Sequence, residues 1–192
     1  ITIFNNDGAG EGFNDPTPRA PSGGNPGITI GGQRLYLFQY AAGIWGGILP
    51  STVPIIVTSQ FNPQTCSATS AVLGSAGPIN ISRDFAGAEF LGTWYHQALA
   101  NRLNGTDLVP GSNDINATFN SNLDLPTCLG GVGWYYGTDG LEGAAVELLP
   151  VLLHEMGHGL GFSTTTNGST GAFNTGFPSV FDRFLLDNNT GL

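Results

Sequence analysis

The amino-acid sequence predicts an α+β fold in which strands and helices alternate around a mixed, twisted sheet. Three observations support this prediction: short runs rich in β-branched residues, longer stretches whose apolar residues recur at helical spacing, and a hydrophobic share of 40%, enough to build a core. The chain of 192 residues has the length of one ordinary domain. We therefore expect residues 1–192 to form a single domain.

The predicted elements follow one another from strand to helix along the chain. Residues 1–4 are β-branched and indicate a first strand, and apolar side chains three or four positions apart predict a helix over residues 32–49. A strand is expected at residues 53–61, with 71–73 as its candidate partner. The later elements are a helix over 93–103 capped by Thr93, strands at 114–119 and 132–136, and an apolar helix over 141–160 with a candidate kink at Pro150 and its end at Gly159 and Gly161.

Charge and hydropathy exclude two classes of partner. The sequence has five basic residues, all arginine, against 14 acidic residues, which gives a net charge of -9. Such a chain cannot neutralise a run of phosphates, so we expect no nucleic-acid partner. No uninterrupted apolar run reaches the roughly 18 residues that a membrane-spanning helix needs, so we expect no membrane span.

Cysteine usage and composition favour an exported protein. Cys66 and Cys128 lack the CxxC spacing of a metal or redox pair, and one disulfide between them is the simplest interpretation, with two buried reduced thiols as the alternative. The absence of lysine and the abundance of Gly, Asn, Ser and Thr fit secretion. The start at Ile1 resembles a processed N-terminus and residues 187–192 resemble a turn, so we expect a C-terminally truncated piece of a longer protein with further domains.

Three residues of the last predicted helix indicate a catalytic chemistry, and they are His154, Glu155 and His158. Residues four apart lie on one helix face, so both imidazoles can bind one metal ion. A catalytic zinc ion takes three protein ligands and leaves one position for water, and the glutamate is placed to act as general base in peptide hydrolysis. This HExxH motif therefore predicts a zinc-dependent hydrolase. Histidines that merely pack in an apolar helix are the alternative, at the cost of burying polar groups.

The segment from residue 154 to residue 163, HEMGHGLGFS, resembles the active-site helix of the leishmanolysin-like branch of the metzincin zinc peptidases and of related secreted bacterial peptidases. The resemblance implies a zincin fold and a protein or peptide substrate. It further implies that zinc is bound by His154 and His158, that Glu155 is the base, and that Gly161 forms the turn beneath the metal.

The third metal ligand of the resemblance has no direct counterpart in this sequence. Thr164 stands where most metzincins place a third histidine, and no histidine follows the motif. We assign the third ligand to Asp182, with Asp187 as the second choice and a histidine beyond Leu192 as the alternative. Asp182 is flanked by apolar residues, where a carboxylate needs a cation, and either zinc or Arg183 would supply one.

Other residues have a structural or weaker functional interpretation. Residues 114–119 resemble the metzincin stretch that leads to the substrate-binding strand at the sheet edge. His96 has no metal-ligand spacing to the motif, so we interpret it as structural. Tyr135 and Tyr136 could offer a phenol to a reaction intermediate, but buried aromatic packing is the simpler interpretation.

Two other functions fit parts of the sequence. A zincin-fold binding module that lacks the third ligand would be catalytically inactive. A calcium-dependent adhesion domain would use the acidic N-terminal loop, where oxygen ligands without an EF-hand spacing are offered by Asp7, Glu11, Asn14 and Asp15. Solvated turns use the same residue types. We therefore expect Zn2+ as the cofactor, with Ca2+ as a second candidate.

Overall fold

The computed structural model of the chain describes residues 1–185 and confirms an α+β fold with a mixed sheet. Its helices are α1 (Ile30–Ile48), α2 (Gln97–Asn104) and α3 (Leu148–Leu160). Its strands are β1 (Thr2–Asn5), β2 (Ile56–Asn62), β3 (Gly74–Pro78), β4 (Ile81–Ser82), β5 (Tyr95–His96), β6 (Ile115–Asn120), β7 (Trp134–Tyr135) and β8 (Val146–Glu147). Short 3-10 helices cover Gly12–Asn14, Ser121–Asp124, Leu129–Gly131 and Asp182–Phe184.

The main sheet has the strand order β1, β2, β6, β3. Strands β1, β2 and β6 are parallel, whereas β3 pairs antiparallel with β6. Val57 of β2 lies opposite Ile115 of β6, and Ala76 of β3 lies opposite Ala117 of β6. Since β3 is an outer strand of this sheet, its second side pairs with no other strand among residues 1–185.

The core lies on one face of the sheet. Side chains of β2 and β6 alternate between buried and more exposed positions, as expected for a sheet that is covered on one face. The buried side chains join aromatic rings from α1 and from the N-terminal loop, with ring centroids between 4.7 and 5.8 Å apart. This aromatic cluster consists of Phe13, Phe38, Phe61 and Phe119. Its mostly edge-to-face contacts fix α1 against the sheet.

Helix α3 packs on β6 and β3 and against α1. Its buried side chains include Leu148, Leu152 and Met156. The indole Nε1 of Trp45, in the last turns of α1, donates to the backbone oxygen of Leu153 at 3.1 Å. These contacts hold α3 beside the edge strand β3, with its more polar side directed away from the core.

The last helix is shorter than the sequence predicts. Residues 141–145 are not helical, residues 146–147 form β8 with β7 as its parallel partner, and α3 begins at Leu148. Pro150 lies in the first turn of α3 and does not kink it, because the first backbone N–H groups of a helix have no partner to lose. Gly161 ends the helix as predicted, whereas Gly159 lies inside it.

Two other predicted elements differ in position. Thr93 does not cap α2, which begins at Gln97; its hydroxyl instead donates to Leu91 and accepts a hydrogen bond from Arg183. Gly105 follows α2 in the left-handed region, at φ 75°, and ends it. Residues 71–73 lie just before β3, and it is β3 that joins the sheet. Propensity and periodicity place these elements only to within a few residues.

The disulfide between Cys66 and Cys128 is present, which confirms that prediction. It joins the loop after β2 to the segment after β6, and the two Cα atoms lie 5.4 Å apart. The backbone N–H of Leu129 donates to the oxygen of Ser67 at 2.8 Å beside it. The crosslink therefore closes the part of the chain that contains β3, α2 and β6. Within residues 1–185, no helix has both the length and the apolar character needed to cross a membrane.

Candidate metal centre

The two histidines of the motif face each other on the same side of α3. Their Nε2 atoms are 3.0 Å apart, and the rings are nearly perpendicular with centroids 4.5 Å apart. His154 is exposed and His158 is partly buried. The separation of four residues predicts this juxtaposition, because such side chains lie one turn apart on a helix.

The turn at the end of α3 orients His158. Gly161 has φ 134° and ψ -4°, a conformation that glycine adopts without strain from a Cβ. The chain then folds back, so that Phe162 N–H donates to the oxygen of Gly157 at 3.0 Å. The oxygen of Phe162 lies 2.7 Å from Nδ1 of His158. A carbonyl oxygen can only accept, so Nδ1 carries the proton and Nε2 presents its lone pair toward His154.

This arrangement fits a metal ion. Two nitrogens bound to one tetrahedral zinc ion at roughly 2.0 to 2.1 Å lie about 3.3 Å apart, close to the observed separation of the two Nε2 atoms. A second donor that fixes the tautomer, here the oxygen of Phe162, is typical of metal-binding histidines. Among residues 1–185, the group of His, Cys, Asp or Glu side chains that converge closely enough to hold an ion is His154, Glu155 and His158.

Glu155 lies in this group and is tied to the edge strand. Its Oε2 atom accepts a hydrogen bond from the backbone N–H of Ala76 in β3 at 3.0 Å. The side chain is partly buried. One carboxylate oxygen is therefore held by the sheet edge, while the carboxylate as a whole stays within reach of the two imidazoles.

Asp182 is not a member of the His154, Glu155 and His158 group. Its carboxylate accepts hydrogen bonds from the hydroxyls of Thr164, Thr166 and Ser179, and from the backbone N–H of Ser179 at 2.8 Å. Partial burial raises the pKa of Asp182, but these hydrogen bonds outweigh burial and lower the pKa below its usual value. The expectation that this carboxylate needs a cation is wrong, because hydroxyl and amide donors satisfy it.

Arg183 does not pair with Asp182 either. Its guanidinium donates to Thr93 at 2.6 Å and contacts the ring of Phe90. The second-choice ligand, Asp187, lies outside the described residues.

The carboxylates of the acidic N-terminal loop accept hydrogen bonds from backbone N–H groups and do not form a cluster of free oxygens. Asp7 accepts hydrogen bonds from the backbone N–H groups of Phe13 at 2.7 Å and Phe61 at 2.9 Å. Glu11 accepts from the N–H of Gly8. These carboxylates close the loop onto β2, and no group of three metal-binding side chains within residues 1–185 lies there. The calcium prediction therefore gains no support from this loop.

The remaining singled-out residues lie outside the candidate metal site. His96 is buried, and burial lowers the pKa of its imidazole. Its Nε2 lies 3.4 Å from the hydroxyl of Ser163. Tyr136 is buried, with its hydroxyl 2.5 Å from Asp124, and Tyr135 contacts Asp139. None of the three belongs to the metal-binding group within the described part of the chain.

An apolar cavity of about 340 Å³ adjoins the two histidines on the α1 side of α3. Besides His154 and His158, it is lined by Trp45, Leu153, Gly157, Phe162 and Phe181. Glu155 and the edge strand do not line it. The imidazoles therefore border an apolar surface on one side, while Glu155 is tied to β3 on the other.

The sequence predicts which side chains come together at this site, but not the contacts that hold them in place. The contact between Ala76 and Glu155 joins positions 79 residues apart, and no local pattern signals it. The expectation for residues 114–119 is also wrong in one respect. They form β6, which is an inner strand, and the sheet edge beside α3 is β3, which precedes β6 in the chain.

Comparisons with protein-family models, with curated proteins and with solved structures find no match to this chain. The chemistry of His154, Glu155 and His158 is thus the basis on which a function can be proposed.

Proposed function

We propose that this chain is a secreted, zinc-dependent endopeptidase with a zincin-type catalytic site. The observation that carries the proposal is the pair of imidazole Nε2 atoms 3.0 Å apart, with Glu155 in the same group. The disulfide between Cys66 and Cys128 is compatible with an oxidising, extracellular compartment.

Zinc is the metal that this donor set favours. Neutral imidazole nitrogens suit zinc, whereas calcium and magnesium take oxygen ligands. When bound, zinc supplies a Lewis acid that polarises a carbonyl group and lowers the pKa of water to about 7. His154 and His158 would hold the ion, and the oxygen of Phe162 would keep His158 in the tautomer that can bind it.

Glu155 acts as the general base and then as the general acid. Its carboxylate takes a proton from the water whose oxygen attacks the peptide carbonyl carbon. It then gives that proton to the amide nitrogen as the carbon–nitrogen bond breaks, so that an amine and a carboxylic acid form, and the acid loses its proton to solvent. A glutamate beside the imidazoles and within the same group is placed for both transfers.

A peptide substrate suits the neighbouring strand. Leu73 and Ile79 hydrogen-bond to residues 120 and 114, in β6 and just before it, and bonded residues alternate along an antiparallel strand, so residues 74 and 76 direct their backbone groups away from β6. The N–H of Ala76 is taken by Glu155, so the outward groups offered to a peptide are the N–H of residue 74 and the oxygens of residues 74 and 76. An extended peptide can add to such an edge through main-chain hydrogen bonds. The open edge therefore supports a protein or peptide substrate.

The experiment that tests the proposal compares two glutamate variants in a casein or peptide-cleavage assay. We expect Glu155→Gln to retain zinc and to lose cleavage by about 10²- to 10⁴-fold, because the amide cannot take the proton. Glu147→Gln, at the start of the same helix and outside the metal-binding group, is the matched control and should cleave normally. Near wild-type cleavage by Glu155→Gln would refute the role of this residue.

Zinc affinity tests the ligand assignment separately. His158→Ala should lose the metal, since one of the two imidazoles is removed. Asp182 as the third ligand stays a prediction, and to bind zinc its carboxylate must release hydroxyl partners such as Thr164. A large loss of affinity in Asp182→Ala, but not in Asp187→Ala, would support Asp182. Unchanged zinc affinity in Asp182→Ala would show that Asp182 does not bind zinc and that the third ligand is another group.

A catalytically inactive metal-binding module is the second candidate function. Its support is that the His154, Glu155 and His158 group provides a third donor only if Glu155 itself binds the metal, which would leave no free base. This candidate predicts that the wild-type protein binds zinc stoichiometrically and cleaves neither casein nor peptides. It also predicts that Glu155→Gln weakens zinc binding, which the peptidase proposal does not.

A further inference from the structure

We propose that the backbone N–H of Ala76 is a positioning group that holds Glu155 as a base and keeps it from binding the metal. This inference rests on the proposed function, because it assigns a role within that same site. It names a residue of the edge strand that the sequence motif does not include.

The register of the sheet directs this N–H toward α3. The oxygen of Leu73 accepts from Asn120 of β6, and the N–H of Ile79 donates to Asp114, the residue just before β6, so both residues face the strand next to β3. Bonded residues recur every second position, so Ala76 is a non-bonded pair with Ala117 and its N–H points away from β6. The partner that it finds is Oε2 of Glu155 at 3.0 Å.

A single hydrogen bond at this place changes what the carboxylate can do. Glu155 has two oxygens, and the one held by Ala76 has a lone pair committed to the edge strand. The other oxygen keeps its lone pairs for a proton. A glutamate side chain has several rotatable bonds, so without this bond the carboxylate could turn toward the imidazoles and occupy a metal-binding position instead.

The bond also separates the two candidate functions of the site. With one oxygen tied to β3, Glu155 is favoured as a base over a ligand. Hydrogen bonds to a carboxylate are stronger than those between neutral groups, so the hydrogen bond from Ala76 can fix the orientation of the Glu155 side chain.

The first measurement is independent of catalysis. In protein labelled with ¹⁵N-alanine, the amide proton of Ala76 should lie downfield in the wild type and move upfield in Glu155→Ala, which removes its acceptor. The amide of Ala117, which faces away from Glu155 within the sheet, is the internal control and should not move. An Ala76 resonance that is the same in both proteins would overturn the inference, whatever the activity of the protein.

The second measurement uses proline to remove the N–H. An outward-facing position on an edge strand is one where proline is tolerated, so Ala76→Pro should fold and retain zinc. We expect kcat to fall about tenfold or more and KM to stay within about twofold of the wild-type value. This loss in kcat is part of the rate enhancement that a positioned general base contributes. Gly77→Ala, whose added Cβ has no neighbour within 4 Å, is the control for disturbance of the strand and should retain kcat.

A double-mutant cycle distinguishes positioning from general damage. If Ala76 acts through Glu155, adding Ala76→Pro to Glu155→Gln should cost less than twofold in residual cleavage. A loss in that background as large as in the wild type would mean that proline damages the site in another way and would overturn the inference. If the wild-type protein does not cleave peptides at all, the proposed function fails, and the ¹⁵N measurement still decides whether Ala76 holds Glu155.

Discussion

Gly159 of α3 lies so close to Ile115 of β6 that a Cβ on residue 159 would be 2.5 Å from Cγ2 of the isoleucine. Ile115 is fully buried, on an inner strand of the sheet. The helix can approach the sheet this closely only because Gly159 has no side chain. This contact sets the height of α3 above the sheet, and with it the position of the adjacent His158.

We expect Gly159→Ala to lower the free energy of unfolding by about 1 to 3 kcal/mol, the usual cost of overpacking a core. Gly157→Ala is the matched control, because its Cβ would lie 3.4 Å from Trp45, an ordinary contact. There the better helix propensity of alanine should stabilise by up to about 1 kcal/mol. Urea unfolding of both variants measures the difference. Ile115→Val should rescue Gly159→Ala in part, and equal stability of the two alanine variants would contradict this account.

Local signals in the sequence predict the side chains that come together in the candidate metal site. The spacing of His154 and His158 predicts their juxtaposition, because a helix has a fixed period. Gly161 is also readable as a helix end, since glycine favours the backbone conformation found there. Each of these predictions depends on residues within one or two helical turns.

Local sequence patterns do not predict contacts between distant parts of the chain. The bond from Ala76 to Glu155 depends on the register of β3 against β6, which only the folded sheet fixes. Asp182 shows the same limit. Apolar neighbours in sequence indicate a buried carboxylate in need of a cation, whereas Thr164, Thr166 and Ser179 provide donors in space.

The disulfide gives a second prediction. Replacing both Cys66 and Cys128 by serine should lower the free energy of unfolding by about 4 kcal/mol in the chain-entropy model, since the crosslink spans 62 residues. In this model the loss of stability arises because the unfolded chain without the crosslink has a higher conformational entropy. Urea unfolding of the oxidised wild type and of the double serine variant checks it. A difference below about 1 kcal/mol would show that the crosslink does not constrain the unfolded chain as this model assumes.

Asp182 gives a prediction for pH dependence. Its pKa is lowered in the folded state, so the native protein binds fewer protons at this group than the unfolded chain does. The stabilisation is therefore present above the ordinary value of 3.8 and is lost as the pH falls through it toward the folded pKa. Solvent screens a partly exposed carboxylate, so Asp182→Asn should lower the free energy of unfolding at pH 7 by less than about 1 kcal/mol. The free energy of unfolding of the variant should also decline less than that of the wild type between about pH 5 and pH 3. Parallel declines in unfolding free energy would exclude a titrating role for Asp182.

The last prediction concerns the charged network that Arg34 forms with Asp124 and Tyr136. Arg34 is 3% exposed and donates to Asp124 at 3.0 Å and to the hydroxyl of Tyr136 at 2.9 Å. Burial raises the pKa of Tyr136, so the phenol stays protonated and donates to Asp124. Asp124 thus provides the negative charge next to a nearly buried guanidinium.

Removal of Asp124 leaves Arg34 without its compensating charge, so Asp124→Ala should cost about 3 kcal/mol of unfolding free energy. The exposed Glu89 is the control, and Glu89→Ala should change stability by less than about 0.5 kcal/mol. Adding Arg34→Met to Asp124→Ala removes the unpaired cation and replaces it with an apolar side chain, so the double variant should be less destabilised than the sum of the single variants. Urea unfolding of the four proteins gives the coupling energy, and strictly additive losses would show that the two charges do not depend on each other.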